Sequence, residues 1–355
     1  MMKLEEIIAG IKPVEQEWIQ RARQRTARLV MPTRALGRLH EISERLCGIR
    51  QTLEPDANQK AVLVMAGDHG VVQEGVSAYP QEVTPAMVRT FLAGGAGINA
   101  ISRQAGADVW VVDMGIIADL DPTGLKGAEH LLVKKVGNGT ANFARGPAMS
   151  RRDAERALMI GFERASELIE HGTDILGTGD MGIGNTTPSA AVGTLLTGAA
   201  IEQMVGRGTG VDDAGLARKR EIVRRGIEIN NPDPEDGLDV LAKVGGFEIG
   251  GIAGAVLAGA FLRRPVVIDG FISTAGALIA AALCPAVKDY LLAGHCSAEP
   301  GHRIMLKHLG LDPILDLGMR LGEGTGAALA MGIIESAVRM FREVLTFEEA
   351  GVANK

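Results

Sequence analysis

The chain has 355 residues, of which 46% are hydrophobic and 47 are glycine, so it suits one large domain or two unequal ones and excludes a disordered protein. Its 37 basic residues against 43 acidic ones give a formal net charge of −6 and a pI near 5.7. This balance argues against a nucleic-acid-binding protein, which normally shows a basic patch or a pI above about 9. Aromatic residues make up only 3% of the chain, so the core must be aliphatic.

The cysteines and the apolar runs indicate the kind of compartment. Cys47, Cys284 and Cys296 are far apart and odd in number, which suggests neither a disulfide framework nor a zinc site. The N-terminal residues include acids where a signal peptide would be apolar. The longest apolar-looking runs, such as 250–262, are shorter than the roughly 20 residues that a membrane span needs. We therefore expect a soluble cytoplasmic protein without a membrane partner.

Apolar periodicity predicts the order of helices and strands. Helical spacing covers the first fifty residues, with a break near Pro32 and Gly37. Short apolar runs typical of strands buried on both faces of a sheet then lie at 61–66, 109–113, 174–177, 265–269, 289–293 and, less clearly, 313–320. Helical stretches lie at 85–104, after 187, after 271 and at 327–344. This alternation predicts an α/β fold with a mostly parallel Rossmann-like sheet flanked by helices.

The same pattern predicts the domain organisation. The strand–helix alternation defines a large α/β catalytic domain over residues 55–327. The helical segments outside it, residues 1–54 and 328–355, are expected to form a smaller helical domain together. No fixed-period repeat or low-complexity segment divides the chain further.

Polar residues follow almost every predicted strand, and glycines accompany most of them. In open parallel sheets, ligands bind beyond the carboxyl ends of the strands, so these residues are candidates for a common site. They are Asp68, His69, Asp113, Asp180, Asp269, Ser297, Glu299 and Glu323. Loops of α/β proteins are often rich in Gly and Asp without any function. Six such loops at one edge of a sheet are harder to explain in that way.

The segment 177–187 is the strongest single candidate for an anion site. Free backbone N–H groups, the start of the next helix and the side chains of Asn185, Thr186 and Thr187 would suit a phosphate. Its glycines at 177, 179 and 182 also spell GxGxxG, with Glu202 twenty residues further on. A nucleotide-dependent oxidoreductase is thus an alternative, although Glu202 follows a helix where the fingerprint requires the end of a second strand.

Two further candidates carry charge. Glu323 lies between glycines at a strand-to-helix junction, where a carboxylate is either a general base or only a partner of the helix dipole. Lys219 belongs to a basic run, residues 218–225, that would counter a phosphate or simply form a solvated helix face. The histidines lack the spacing of a metal site and are interpreted as structural.

Several sequence strings taken together resemble one family. They are LGRL at 36–39, AGDHGVVQEGVSAYPQEVT at 66–84, GIGNTT at 182–187, KVGGF at 243–247, DGF at 269–271, SAE at 297–299 and RLGEGTGA at 320–327. The chain resembles the nicotinate-nucleotide–dimethylbenzimidazole phosphoribosyltransferase family over roughly residues 10–345. The strings occur in the family's order, which makes the set far more specific than any single glycine loop.

The resemblance implies a reaction and its requirements. The family transfers the 5-phosphoribosyl group of nicotinate mononucleotide to 5,6-dimethylbenzimidazole, giving α-ribazole 5′-phosphate and nicotinate with inversion at the anomeric carbon. Because the leaving group is already a pyridinium cation, neither a general acid, a metal nor another cofactor is expected. The resemblance also implies a homodimer.

The resemblance also implies roles for particular residues. Glu323 would be the catalytic base, and Asp180 would be a second catalytic carboxylate. The phosphate and ribose would be bound by Gly182, Gly184, Asn185, Thr186, Thr187, Lys219, Ser297 and Gly322. The base would be bound by Tyr79, Pro80, Gln81, Met87 and Leu321.

The sequence departs from the family pattern in two places. Asp180 stands where the family usually has Glu, which shortens the side chain by one methylene. The segment 32–37 reads PTRALG where the family commonly has Lys-Pro-x-Gly-Ser-Leu-Gly. A related base in place of dimethylbenzimidazole and a non-catalytic relative therefore remain alternatives, although the presence of Glu323 counts against the second.

Overall fold

The computed structural model describes residues 2–353, which contain one seven-stranded sheet with only parallel neighbours. Its strands are β1 (Lys60–Gly67), β2 (Ala107–Gly115), β3 (Leu131–Val133), β4 (Ile175–Met181), β5 (Val266–Ile268), β6 (Leu291–His295) and β7 (Pro313–Leu315). Their order in the sheet is β3-β2-β1-β4-β5-β6-β7. The predicted α/β fold is confirmed.

Helices cover both faces of the sheet. They are α1 (Leu4–Gly10), α2 (Gln16–Thr26), α3 (Arg38–Arg50), α4 (Val83–Ala93), α5 (Gly97–Ala105), α6 (Arg151–Glu170), α7 (Thr186–Thr197), α8 (Ile201–Met204), α9 (Asp213–Asn230), α10 (Gly237–Val244), α11 (Phe247–Phe261), α12 (Phe271–Leu283), α13 (His302–Leu309) and α14 (Thr325–Glu343). Short 3₁₀ turns lie at Gly70–Glu74, Ala128–His130 and Pro285–Tyr290.

Strand β1 explains why the predicted strands are apolar throughout. Successive side chains of a strand point to opposite faces, and every residue of β1 is buried. Ala61, Leu63 and Met65 join the apolar core formed with α6, α11 and α12. Val62, Val64 and Ala66 join the opposite core, formed with α3, α4, α5 and α14. Because both faces are covered, no alternation of polar and apolar residues remains.

Glycines set the close packing of α6 against α11. A Cβ added at Gly254 would lie 1.8 Å from the backbone oxygen of Leu158, and one at Gly161 would lie 1.9 Å from that of Gly251. These positions tolerate no side chain because the two helix backbones nearly touch. The low aromatic content of the sequence fits this core, which is filled by small aliphatic residues.

The structure differs from the predicted elements in several places. The single helix expected at 85–104 is two helices, α4 and α5, since the chain breaks at Gly94, which adopts a left-handed conformation. Strand β3 has no counterpart among the predicted strands, because it is only three residues long and none of them is buried. Strand β7 ends at Leu315, so the segment 316–320 is a loop and not the continuation expected from the sequence.

The strand order defines where a ligand is expected. Strands β2 and β3 lie on one side of β1, whereas β4 to β7 lie on the other. The carboxyl ends of β1 and β4 therefore meet at a topological switch point, the usual ligand-binding position in open α/β sheets.

Helix α14 packs against α3 and also against β4, β6 and α5, so it contacts both parts of the predicted division. The boundary between a small helical domain (1–54 plus 328–355) and a large one (55–327) stays a prediction. Within residues 2–353, no helix combines the length and the apolar character needed to cross a membrane.

Candidate active site

A cavity of about 460 Å³ lies at the carboxyl edge of the sheet. Loops that follow β4, β5, β6 and β7 supply most of its wall. The lining residues are Tyr79, Asp180, Asn185, Thr186, Gly208, Thr209, Gly270, Phe271, Ile272, His295, Ser297, Glu299, Arg320, Leu321 and Gly322. The cavity thus brings together residues from segments that are more than 240 positions apart in the chain.

Strand β4 extends further than the sequence indicated. Gly177 and Gly179 lie inside the strand, so they form no turn of a dinucleotide fingerprint. A Cβ at Gly179 would lie 2.5 Å from the backbone oxygen of Glu323, which explains the need for glycine. The loop proper begins after Met181, and Gly184 in it has a φ of +89°. The oxidoreductase alternative is therefore not favoured by this geometry.

The loop after β4 connects to Asp180 through Asn185. The Asn185 side chain donates from Nδ2 to Asp180 Oδ2 at 2.9 Å, and helix α7 begins at the next residue, Thr186. Both Asp180 and Asn185 are buried and line the cavity. Burial, together with the nearby Asp269 carboxylate, raises the pKa of Asp180 well above its ordinary value.

Glu323 is buried in an unusual backbone conformation. Its φ is +63°, a left-handed value that is uncommon outside glycine and often found at functional sites. Its Oε2 accepts a hydrogen bond from the backbone N–H of Ile98, at the start of α5, at 3.0 Å. Burial raises the pKa of Glu323 above its ordinary value, and the Ile98 N–H partly offsets this rise. Glu323 itself does not line the cavity, but the preceding Gly322 does.

Asp269 fixes the segment that carries Glu323. Its two carboxylate oxygens accept hydrogen bonds from the backbone N–H groups of Gly324, Gly326 and Ala327 at 2.7–3.2 Å. These are orphan donors at the start of α14, so the interaction anchors the helix terminus. The sequence marked Asp269 only as a polar residue after a strand, since nothing local reveals partners more than fifty residues away.

Lys219 lies behind the cavity wall. It is almost completely buried, and its Nζ donates to Thr186 Oγ1 at 2.8 Å. Burial lowers the pKa of Lys219 to about 8, although the carboxylate of Glu299 opposes this change. Gly208 has a φ of +55°, and a Cβ there would lie 2.6 Å from Thr186 Oγ1 and 2.9 Å from Lys219 Nζ. Lys219 and Thr186, two of the residues predicted to bind a phosphate, are therefore in direct contact.

Ser297 is held by a histidine that sequence reasoning missed. His302 Nδ1 accepts a hydrogen bond from the Ser297 backbone N–H at 2.8 Å. The other ring nitrogen, Nε2, contacts Thr274 Oγ1 at 2.8 Å, and Thr274 donates to the Gly270 oxygen. Burial lowers the pKa of His302 to about 3, so the ring is neutral. No sequence signal indicated this role, because a lone His on a helix is most often structural.

The predicted base-binding residues divide into two groups. Tyr79 and Leu321 line the cavity and are 54% and 59% exposed. Gln81 uses its amide to donate to the backbone oxygen of His69 at 2.9 Å. Pro80, Gln81 and Met87 are not among the residues that line the cavity, and Met87 packs against an apolar core.

The remaining predicted residues support the loop and do not line the cavity. Gly182 packs against Gly67, where a Cβ would lie 2.3 Å from the backbone oxygen, and Gly184 packs against Val72. Thr187 is fully buried in the first turn of α7. In the described part of the chain, His, Cys, Asp and Glu form no group of three that would hold a metal ion.

Comparison with known proteins identifies the family. Residues 11–352 match the family described as Phosphoribosyltransferase. A protein of Geotalea uraniireducens (strain Rf4) named nicotinate-nucleotide–dimethylbenzimidazole phosphoribosyltransferase is 52% identical over 353 residues, which cover 99% of each chain. The chain belongs to the phosphoribosyltransferase family. A protein of the same name from Desulforudis audaxviator (strain MP104C) is also 52% identical, over 99% of this chain and 98% of that one.

Solved structures support the same family. A crystal structure of the phosphoribosyltransferase of this name from Thermus thermophilus has a TM-score of 0.90 and 47% sequence identity. The alignment covers 96% of this chain and 100% of that one. The resemblance inferred from the sequence strings is therefore confirmed for family and fold.

The basic run on α9 serves mainly to hold neighbouring elements in this phosphoribosyltransferase. Arg224 pairs with Glu202 and Glu221, and Arg225 pairs with Glu74. Arg218 Nη1 donates to the backbone oxygen of Gly75. Of this run, Lys219 is the residue that contacts a cavity-lining side chain, Thr186.

The divergent segment 32–37 forms an exposed turn before α3. Arg34 and Gly37 have positive φ values of 57° and 52°. Arg34 Nη1 donates to the buried Glu44 at 2.6 Å, which fixes the turn to α3. The segment contributes no residue to the lining of the cavity.

Proposed function

We propose that this chain transfers the 5-phosphoribosyl group of nicotinate mononucleotide to 5,6-dimethylbenzimidazole or a related base. The observation that carries the proposal is a buried, left-handed Glu323 next to a cavity that also contains Asp180 and the start of α7. The names of relatives about 52% identical over nearly the whole chain support the same substrates.

Nucleotide binding is assigned to the loop after β4 and its neighbours. The N–H groups at the start of α7 suit a phosphate, since they have no partner within the helix. Thr186, Lys219 and Ser297 are the side chains assigned to the phosphate and the ribose, and Asn185 and Gly322 line the same space. A supporting role is assigned to Gly182, Gly184 and Thr187, which pack against neighbouring segments and fix the conformation of the loop.

Proton removal is assigned to Glu323. The incoming base attacks the anomeric carbon through one ring nitrogen, and the other nitrogen loses its proton to the carboxylate. Because Ile98 holds Oε2, the second oxygen, Oε1, is left to accept that proton. A carboxylate with a raised pKa is a better base near neutral pH than an ordinary one. The nicotinate leaves as a neutral ring, so the ring nitrogen requires no proton.

Positioning accounts for much of the proposed rate acceleration. A cavity of about 460 Å³ falls in the range of pockets that bind small ligands. The cavity would hold the base and the ribose in line for attack. In the best intramolecular reactions, such positioning lowers the activation barrier by up to about 7–11 kcal/mol. Asp180, held by Asn185 at the cavity wall, is assigned to contact with the ribose.

The slot for the flat base is assigned to Tyr79 and Leu321, which project into the cavity mouth. Pro80, Gln81 and Met87 stay proposals on the strength of the resemblance alone. A homodimeric assembly rests on the same basis, whereas a cytoplasmic location rests on the three scattered cysteines and the short apolar runs.

The reaction is tested by mixing purified protein with nicotinate mononucleotide and 5,6-dimethylbenzimidazole without added metal. Chromatography and mass spectrometry are expected to detect α-ribazole 5′-phosphate and an equal amount of nicotinate. Absence of product across a panel of benzimidazoles, purines and phenols would contradict the proposal and favour a non-catalytic nucleotide-binding relative. Hydride transfer with NAD would favour an oxidoreductase.

A further inference from the structure

Arg320 is a cation at the cavity wall, and the sequence analysis assigns it no role. Within residues 2–353, it is the one arginine or lysine among the residues that line the cavity. Its Nη1 donates to the backbone oxygen of Gly208 at 3.3 Å. In the same part of the chain it has no carboxylate partner within the 4.0 Å limit of an ion pair, whereas most neighbouring arginines are paired.

Gly208 connects Arg320 to Lys219. The positive φ of Gly208 brings its backbone close to Thr186 Oγ1 and Lys219 Nζ. Its carbonyl oxygen accepts from Arg320, and its N–H donates to Glu299 Oε1 at 2.9 Å. Two cations thus lie next to one residue, Lys219 buried behind the wall and Arg320 at the exposed rim.

The charges at this corner favour a second cation. A phosphate monoester carries about −1.5 to −2 charges near neutral pH. The single charge of Lys219 is opposed by Glu299, whose carboxylate is buried beside Gly206 and Gly208. Without Arg320, the charged side chains around a phosphate at this position would carry no net positive charge. A guanidinium binds two phosphate oxygens at once, and such bonds are among the strongest in proteins.

We propose that Arg320 binds the 5′-phosphate of the nucleotide donor from the rim, opposite Lys219, and thereby selects phosphorylated donors. This inference rests on the proposed function, because it takes nicotinate mononucleotide as the donor. The donor also has a ring carboxylate that would suit an arginine. The contact with Gly208, which adjoins Lys219 and Thr186, favours the phosphate.

Three donors distinguish these roles. Nicotinate mononucleotide has both anionic groups, nicotinamide mononucleotide lacks the carboxylate, and nicotinate riboside lacks the phosphate. Their dissociation constants are measured by calorimetry for wild type and for Arg320→Gln, with kcat and KM wherever turnover occurs. The matched control is Arg218→Gln, because Arg218 also donates to one backbone oxygen, that of Gly75, and does not line the cavity.

Arg320→Gln is expected to weaken the binding of both phosphorylated donors about 10- to 100-fold, because a hydrogen bond to a charged group is lost. Binding of the riboside is expected to stay unchanged. KM is expected to rise with a smaller change in kcat, and Arg320→Lys is expected to recover part of the affinity. Arg218→Gln is expected to bind all three donors as wild type does.

Other results would overturn the inference. A loss confined to the two nicotinate compounds would assign Arg320 to the ring carboxylate. An equal loss for all three donors, or a lowered melting temperature, would indicate a structural role. Unchanged binding of every donor would exclude a role in affinity. Because binding is measured directly, these results are informative even if wild type forms no α-ribazole phosphate, which would contradict the proposed reaction and not the role of Arg320.

Discussion

At the scale of single residues, Glu323 combines strain, burial and a fixed hydrogen bond. A left-handed φ in a residue other than glycine costs about 1–3 kcal/mol, and it persists here because Asp269 anchors the following residues. Such strain is typical of side chains that must point in one direction. The sequence identified the residue, whereas its partner Ile98 lies 225 positions away and was not predictable.

Replacing Glu323 by Gln is expected to lower kcat by about 10²- to 10⁴-fold, because the amide keeps the shape but accepts no proton. Binding of nicotinate mononucleotide, measured by calorimetry, is expected to change little. Glu228→Gln, an exposed change on α9, serves as the control for loss of a carboxylate. A near-wild-type kcat for Glu323→Gln would show that another group removes the proton.

Lys219 predicts a pH dependence of nucleotide binding. Its pKa of about 8 lies below the ordinary value, so the side chain is charged below pH 8 and neutral above it. The phosphate is already dianionic in this range, since its second pKa is about 6. The dissociation constant of nicotinate mononucleotide is therefore expected to rise about tenfold between pH 7 and pH 9. Calorimetry at several pH values between 7 and 9 measures this dissociation constant.

The variant Lys219→Met provides the control for this pH dependence. It is expected to bind the nucleotide weakly and nearly equally at pH 7 and pH 9, since no lysine remains to titrate. A wild-type dissociation constant that stays flat between these pH values would show that Lys219 does not contact the phosphate.

At the scale of elements, glycines decide how closely α6 and α11 approach. The variant Gly254→Ala would place a Cβ 1.8 Å from the Leu158 oxygen, so we expect a loss of about 3 kcal/mol or more in the free energy of unfolding. In the variant Gly332→Ala on α14, the added Cβ has no atom within 4 Å. We expect this variant to raise the free energy of unfolding by about 0.5–1 kcal/mol. Urea unfolding measures both. Equal effects of the two substitutions would contradict this account of the helix packing.

Strand β4 shows how an element was partly misread. The sequence predicts a strand that ends at Gly177 and a glycine-rich loop over 177–187, which contains Gly179. In the structure both glycines continue the strand, since the backbone of Glu323 and the side chain of Met331 occupy the space of their missing side chains. The close contact is long-range, so only the folded chain reveals it.

At the scale of the whole molecule, the assembly is still a prediction. Light scattering is expected to give twice the mass of the 37.3 kDa chain, as the family resemblance implies. A mass of one chain at micromolar concentration would contradict the predicted homodimer.

The sequence alone determined the fold class, the family and most of the candidate residues. Apolar runs predicted six of the strands, because strands buried on both faces leave a local signal. The glycine-rich motifs marked the loops at the carboxyl edge of the sheet, since close approach of the backbone restricts the residue type.

Only the tertiary structure decided which residues share the cavity and how each is held. It separated Tyr79 and Leu321 from Gln81 and Met87, and it placed Arg320 beside Gly208. It also revealed the roles of residues without any motif signal, such as His302, which holds Ser297. These contacts join side chains distant in sequence, and the pKa of Lys219 depends on burial that only packing creates. Local sequence patterns reveal neither these long-range contacts nor the burial of Lys219.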